Sequence, residues 1–238
     1  GALANEVRMR KTDPRIVTYV IDTNPNYTNY CTVDCHFCAF YRKPGKPAAD
    51  GYTHDVEGVM NMMESARRVG ATTVLLQGGL NPEIPWSFYT DIIRESRKRY
   101  PEITPHFFSA PEIHQMVEVS GLTIEGVLRA LYEAGQRTLP GGGAEILATR
   151  VRKRISIKKG GPDTWLDVHR TAHQVGMRST ATMMYGHVET LEEHLPVNGE
   201  PYGVASRKHP RALNLEGRVV QDRVHRNPAS ERRQGRFV

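Results

Sequence analysis

The sequence has no cysteine outside residues 31–38, no apolar run near the roughly 20 residues that a membrane-spanning helix needs, and no apolar leader at its N-terminus. Three clustered cysteines are too close together for a disulfide framework. We therefore expect a protein of the reducing cytoplasm, without a membrane span, whose thiols serve metal or redox chemistry. The 39% of hydrophobic residues is sufficient for a packed globular core.

The net charge of +6 is unevenly distributed along the chain. Residues 196–238 carry nine Lys or Arg and four acidic residues, which leaves a net charge of only +1 for the other residues. Apolar periodicity also ends near Leu195, so we expect two parts: a globular domain over 1–195 and a basic, mostly disordered tail over 196–238. A basic arm that binds nucleic acid is the alternative for the tail. Because the basic character belongs to the tail, the net charge says little about the partner of the folded domain, for which we expect a small molecule and no nucleic acid.

Strand-like and helix-like segments alternate along residues 15–187. Five β-branched or apolar stretches predict strands, the first over 15–22 and the last over 179–187. Between them, segments with apolar residues at helical spacing predict helices, for example Val56, Val59, Met60 and Met63. This alternation predicts an α/β fold with a parallel sheet, a partial (βα) barrel of the TIM type, in which the loops after the strands share one face.

The three cysteines have the spacing C-x3-C-x2-C, as Cys31, Cys35 and Cys38. Three thiolates on one loop can bind three irons of a [4Fe–4S] cluster and leave the fourth iron open, whereas a closed cluster takes four cysteines. A structural zinc site is the alternative, but it usually needs a second pair of ligands further along the chain. The pattern therefore favours an open iron–sulfur cluster over zinc.

The cysteine loop "CTVDCHFC", placed after a first strand, resembles that of the radical S-adenosylmethionine (SAM) superfamily. The resemblance implies that SAM binds the open iron and is cleaved to methionine and a 5′-deoxyadenosyl radical. It places Phe37 near the adenine and makes Gln77, Gly78 and Gly79 the counterpart of a glycine motif that holds the methionine amino group. The acidic residue usual in that motif is replaced by Leu80.

Longer motifs resemble those of the cyclic dehypoxanthinyl futalosine synthase family, which belongs to the futalosine route to menaquinone. The likeness extends over about Ala2 to Leu195, and the motifs are "NYTNYC", "CHFCAFYR", "QGGLNP", "PGGGAEI" and "TATMMYGHVET". The resemblance implies radical ring closure of dehypoxanthine futalosine and an electron donor such as flavodoxin or ferredoxin. Aminofutalosine synthase and the deazaflavin synthase components share part of these motifs, and Tyr41–Arg42 with "TATMMYGHVET" favours the cyclase. In the family, further barrel elements follow "HVET", so the tail here suggests a shifted reading frame or a truncated gene and a barrel open on one side.

Two side chains are candidates for direct chemical roles. Glu145 follows the glycines of "PGGGAEI", where it can bind a hydroxyl group of SAM or substrate. His106 lies at the end of the third predicted strand. It either binds a ligand or handles a proton, or it is an ordinary histidine of the core or rim.

Four further side chains near strand ends are candidates for binding roles. We expect Ser109 to contact the cofactor and Glu112, His187 and Glu189 to contact the substrate. For Glu112 and Glu189, stabilisation of a helix N-terminus is the alternative. His169 and His173, spaced i, i+4, are expected on a helix surface.

Overall fold

The computed structural model describes residues 1–17 and 19–194, so the predicted tail and its boundary lie outside the described residues. The elements alternate as predicted. The helices are α1 (Ala2–Lys11), α2 (Val56–Arg68), α3 (Trp86–Arg99), α4 (Ala110–Ser120), α5 (Ile124–Ala134), α6 (Thr149–Ile155) and α7 (Pro162–Val175), with short 3-10 turns at Ile157–Lys159 and Leu191–His194. The strands are β1 (Asp22–Thr23), β2 (Thr73–Leu76), β3 (Thr104–Phe107), β4 (Thr138–Leu139) and β5 (Arg178–Ser179).

All described strand pairs are parallel, which confirms the predicted α/β partial barrel. One sheet has the order β1-β2-β3, and β4 pairs with β5 in a second. The side chain of Gln136 joins the two sheets, because its Nε2 donates to the carbonyl oxygens of Phe107 (2.7 Å) and Thr138 (3.0 Å). Right-handed crossovers place the helices against the outer face of such a sheet and leave the loops after the strands at one edge.

Helix α2 shows how the sequence builds the outer layer. The Asp55 side chain accepts a hydrogen bond from the backbone N–H of Gly58 (2.8 Å) and so caps the helix start. The apolar face predicted from the spacing is buried, and its buried residues are Val59, Met60, Met63 and Ala66. Helix α5 packs against α3, α4 and α7, and α2 packs against α3, so these five helices form one layer.

Two predicted strands are much shorter than the sequence suggests. Of residues 15–22, only Asp22 lies in β1, and Val17 and Tyr19 are about four-fifths exposed. The predicted last strand, 179–187, is reduced to β5, which ends at Ser179. A β-branched, alternating stretch forms a strand only where a neighbouring strand pairs with it. The described pairing of β1 with β2, and of β5 with β4, extends over two residues in each strand.

No helix within the described residues is both long and apolar enough to span a bilayer.

Candidate cofactor site

The cysteine loop lies between β1 and α2 and is fixed by backbone hydrogen bonds to three other segments. The N–H of Cys31 donates to the carbonyl of Arg42 (2.8 Å), and that of Thr32 donates to Leu80 after β2 (3.0 Å). The N–H of His36 donates to Ile155 at the end of α6 (2.9 Å). The loop therefore has a defined shape that depends on residues far away in sequence.

The three cysteines are free thiols on this one loop, Cys35 buried and the other two partly buried. The described residues include no group of three His, Cys, Asp or Glu arranged around a single metal ion. The donor set on the loop is three thiols, one fewer than a closed tetrahedral zinc site takes and the number that leaves one iron of a [4Fe–4S] cluster open. The loop therefore fits the cluster better than it fits zinc.

Two glycines after β2 bring that strand end against the cysteine loop. A Cβ on Gly79 would collide with the carbonyl oxygen of Tyr30 and lie 2.9 Å from Cβ of Cys31. A Cβ on Gly78 would lie 2.5 Å from Cζ of Tyr27. Gly79 is thus needed for close approach of the two backbones, and Gly78 leaves room for the Tyr27 ring, whatever the two glycines contact in a loaded protein.

We expect Gly79→Ala to lower the free energy of unfolding by about 1–3 kcal/mol, because the new methyl group overpacks a contact made by backbone atoms that cannot simply rotate away. Gly126→Ala is the control, since that glycine lies within α5, where an added Cβ meets only ordinary contacts at 3.4–3.9 Å and alanine is a better helix former, so the variant should lose no stability. Urea unfolding of the three proteins makes the comparison. Equal stabilities for both variants would contradict the close approach.

A buried ion pair faces the cysteine loop. Nζ of Lys159 lies 2.7 Å from Oε1 of Glu145, and the two side chains are only 15% and 14% exposed. The same ammonium group lies 5.2 Å from the ring centroid of Phe37, between Cys35 and Cys38 in sequence. Burial raises the pKa of the Cys35 thiol, and the Lys159 charge acts in the opposite direction. Predicted residues Glu145 and Phe37 thus meet beside the thiols, through a lysine that the sequence analysis missed.

Arg152, also missed, is buried behind this pair. Its guanidinium donates to the carbonyls of Gly143 (3.0 Å) and Ala144 (2.5 Å), which precede Glu145, and to those of Lys159 (3.3 Å) and Gly160 (2.9 Å). The available signal was the basic run 149–159, in which Arg152 directly follows Val151 and lies three residues before Ile155, both buried.

Glu112 is buried, and both carboxylate oxygens are engaged within the protein. Oε1 accepts from the hydroxyl of Tyr27 (2.8 Å) and the N–H of Gly78 (3.0 Å), and Oε2 accepts from the N–H and hydroxyl of Ser109, both at 2.6 Å. Ser109 is the N-cap of α4. Burial raises the pKa of Glu112, and the hydrogen bonds from Ser109, Tyr27 and Gly78 act in the opposite direction. This geometry favours the helix-stabilising alternative for Glu112, while the binding roles of Glu112 and Ser109 stay predictions.

The glycine loop after β4 reaches the same edge of the sheet. A Cβ on Gly142 would collide with Nε2 of Gln77 and lie 3.5 Å from Cβ of Ser109. Glu145 has a φ of +51°, in the left-handed region that is unfavourable for a residue with a Cβ. The loops after β1, β2, β3 and β4 therefore meet at one place, as the barrel topology predicts.

His106 lies on β3, and its ring contacts one residue on β4 and one directly after β5. Its Nδ1 lies 2.8 Å from Oγ1 of Thr138, and its Nε2 lies 3.4 Å from Oγ1 of Thr180. Burial lowers the pKa of His106 to about 4, and the charge of Asp22 acts in the opposite direction. A neutral imidazole between two hydroxyl groups fits the rim or core alternative, and the catalytic role stays a prediction.

The depressed pKa of His106 predicts an acid-dependent loss of stability. As the pH falls below 6.5, the unfolded chain binds a proton before the folded one, so the free energy of unfolding decreases down to about pH 4. Each unit of pKa difference corresponds to roughly 1.4 kcal/mol. His106→Gln, which keeps a hydrogen-bonding group, should flatten the stability profile between these pH values in thermal unfolding. If the free energy of unfolding falls with pH equally steeply in the wild type and the variant, the low pKa of His106 is contradicted.

His187 and Glu189 form a separate group near α6. Both carboxylate oxygens of Glu189 are engaged, by the N–H groups of Gly186 and His187 and by the ring of His194. These hydrogen bonds lower the pKa of Glu189. Nε2 of His187 lies 3.0 Å from the carbonyl of Met184. The contacts described for these two residues are local, and their proposed substrate contacts stay predictions.

The expectation that His169 and His173 lie on a helix surface is wrong for His169. That ring is fully buried, stacks 3.8 Å from Trp165 and has no hydrogen-bond partner among the described residues. Burial lowers its pKa to about 3. His173 is half-buried, with Nε2 2.8 Å from Oγ of Ser179. Helix α7 turns this face towards the core because Trp165 and Val168 lie on it.

Comparison with known proteins shows one matching family and several similar enzymes. The model of the radical SAM superfamily matches residues 25–196. Cyclic dehypoxanthine futalosine synthase of Halalkalibacterium halodurans is 42% identical over 193 residues, which are 81% of this chain and 52% of that protein. Aminodeoxyfutalosine synthase of Thermus thermophilus is 41% identical, covering 81% and 51%. FO synthase of Mycobacterium tuberculosis is 42% identical, covering 80% and 22%.

The chain spans about half the length of the first two relatives. Among solved structures, methylornithine synthase superposes with a TM-score of 0.53 at 14% identity, covering 66% of this chain and 42% of that one. At that identity the match concerns the fold alone, and it agrees with the parallel α/β architecture described above.

Proposed function

The chain belongs to the radical SAM superfamily, and from this premise we propose that it holds a [4Fe–4S] cluster and SAM at the cysteine loop and carries out a radical cyclisation on a futalosine-type substrate. Cys31, Cys35 and Cys38 would bind three irons. When bound, the cluster and SAM supply a carbon-centred 5′-deoxyadenosyl radical that abstracts a hydrogen atom. The observation that carries the proposal is the set of three free thiols on one fixed loop, seated against Gly79 and faced by Lys159.

The protein's own part is to bind and orient the cofactor and the substrate and to shield the radical. Gly79 allows close approach of the backbone after β2 to the cysteine loop, and Phe37, 42% exposed, offers an aromatic surface on that loop. Glu145 is available at the same edge for a hydroxyl group, held in place by Lys159. A radical is protected from side reactions only where water and other hydrogen donors are kept away, so the substrate site must be enclosed when loaded.

The finer assignment is to the cyclase, with dehypoxanthine futalosine as substrate and a low-potential carrier such as flavodoxin or ferredoxin as electron donor. It rests on Tyr41–Arg42 and "TATMMYGHVET" in the sequence. The similar identities to aminodeoxyfutalosine synthase and FO synthase support those reactions as alternatives. The division into a barrel over 1–195 and a tail over 196–238 stays a prediction.

The test is anaerobic reconstitution of the full chain, followed by analysis of metal, sulfide and products. We expect iron and acid-labile sulfide, release of 5′-deoxyadenosine from SAM under reducing conditions, and consumption of dehypoxanthine futalosine in preference to the substrates of the two related enzymes. Zinc without iron and sulfide would overturn the proposal. Release of 5′-deoxyadenosine only with another of these substrates would move the assignment to that reaction.

A further inference from the structure

A buried positive charge lies against the cysteine loop. Lys159 is presented by the 3-10 turn Ile157–Lys159, and its ammonium group lies against both Glu145 (2.7 Å) and the Phe37 ring (5.2 Å). Phe37 lies between Cys35 and Cys38 in sequence, so the ammonium group stands beside the segment that carries two of the three thiols. Charges interact more strongly where water is excluded, so this lysine has more influence on the loop than a surface lysine.

The position of Lys159 is held by Arg152, which is only 2% exposed. The guanidinium donates to carbonyls on both sides of the ion pair: those of Gly143 and Ala144, before Glu145, and those of Lys159 and Gly160. One planar group thus joins the backbone segment that carries the carboxylate to the segment that carries the ammonium group.

The backbone around the pair is costly to form. Glu145 has a φ of +51°, which a residue with a Cβ adopts only when its surroundings enforce it. Burying Lys159 and Glu145 together also costs desolvation energy, which their attraction has to offset before the pair adds any stability. Such an arrangement is a weak source of stability, which points to a role in setting charge and geometry beside the thiols.

We propose that Lys159, fixed in place by the positioning residue Arg152, sets the reduction potential of the cluster held by Cys31, Cys35 and Cys38. The inference deepens the proposed function and rests on it. Reduction adds one electron from a low-potential carrier, so the cluster becomes more negative by one charge and no bond forms or breaks. A nearby fixed cation stabilises the reduced form, and net charge around a cluster is among the factors that set its potential.

The two partners of the ion pair give opposite predictions. Lys159→Met removes the cation and leaves the Glu145 carboxylate facing the loop, so the reduction potential should become more negative. Glu145→Gln removes the anion and leaves the lysine uncompensated, so the potential should become less negative. A purely structural role of the pair gives no reason for shifts of opposite sign.

Lys158→Met is the matched control. This neighbouring lysine also pairs with the cysteine loop, at 2.9 Å from Asp34, but its side chain is 52% exposed. Solvent screens an exposed charge, so its removal should change the potential little. Lys159→Arg keeps the charge and should stay near the wild type. Arg152→Lys keeps the charge but cannot reach the same set of carbonyls, so it should shift the potential in the direction of Lys159→Met.

The experiment is a redox titration of the reconstituted full-length proteins, followed by electron paramagnetic resonance of the reduced cluster. Shifts of opposite sign for Lys159→Met and Glu145→Gln, with Lys158→Met unchanged, support the inference. Unchanged potentials in variants that hold as much iron as the wild type would overturn it and leave the proposed function intact. If Lys159→Met takes up no iron, Glu145→Gln and Arg152→Lys decide. A wild-type protein without a cluster would overturn the proposed function itself.

Discussion

Replacing Cys35 by serine will abolish cluster binding and, with it, the cleavage of SAM. Serine keeps the size of the side chain but replaces a soft thiolate by a hydroxyl group, which is a poor ligand for iron in such a cluster. Loss of even an outer partner of a metal site typically costs about 10–100-fold in affinity, so loss of a direct ligand should cost at least that much. Iron and acid-labile sulfide per chain, measured after anaerobic reconstitution, should fall to background, and release of 5′-deoxyadenosine should disappear.

The control for this experiment lies in the same loop. Thr32→Ser keeps the hydroxyl group that donates to the carbonyl of Leu80 (3.3 Å) and leaves all three thiols in place, so it should load iron like the wild type. Far-ultraviolet circular dichroism of Cys35→Ser should match the wild type, because the helices do not depend on this side chain. Full iron loading of the serine variant would show that Cys35 is not a ligand.

The cysteine motif was predictable because its signal is local. Three thiols within eight residues define a ligand set whatever the rest of the chain does, and the structure adds only that the loop is held in one shape. The helices were predictable for a similar reason. In α2 the cap and the apolar face lie within about four turns, so neighbours in sequence carry all the information.

The parts that were missed depend on contacts between distant residues. In the sequence, Lys159 is one of several positive charges in a basic run. Only the folded chain shows that it is buried against Phe37, which lies 122 positions earlier. The left-handed backbone at Glu145 is likewise not evident from the sequence, since its surroundings, the Arg152 guanidinium on the carbonyl of Gly143 and Lys159 on the Glu145 carboxylate, appear only in the folded chain. Strand lengths were overestimated at 15–22 because they depend on pairing with a neighbour, which a single strand pattern does not contain.

Replacing Glu112 by alanine will have the largest effect on stability. It leaves three buried donors, the hydroxyl of Tyr27 and the N–H and hydroxyl of Ser109, and one partly buried donor, the N–H of Gly78, without their acceptor. Since each unsatisfied buried donor costs about 1–3 kcal/mol and some relax onto water, we expect a loss of about 3–5 kcal/mol in the free energy of unfolding. That is a large part of the roughly 5–15 kcal/mol typical of a domain. Urea unfolding followed by circular dichroism measures it.

Variants of the same helix and the same network separate a stabilising role from a binding role. Glu118→Ala removes an exposed carboxylate from α4 and should change stability by less than about 0.5 kcal/mol. Tyr27→Phe removes one of the four donors, so it should cost less in the Glu112→Ala background than in the wild type. If Glu112→Ala unfolds like the wild type but binds substrate poorly, then the carboxylate is held for the ligand and not for the fold. The four short contacts argue for the first outcome, because a carboxylate that already accepts from every side has little capacity left for a ligand.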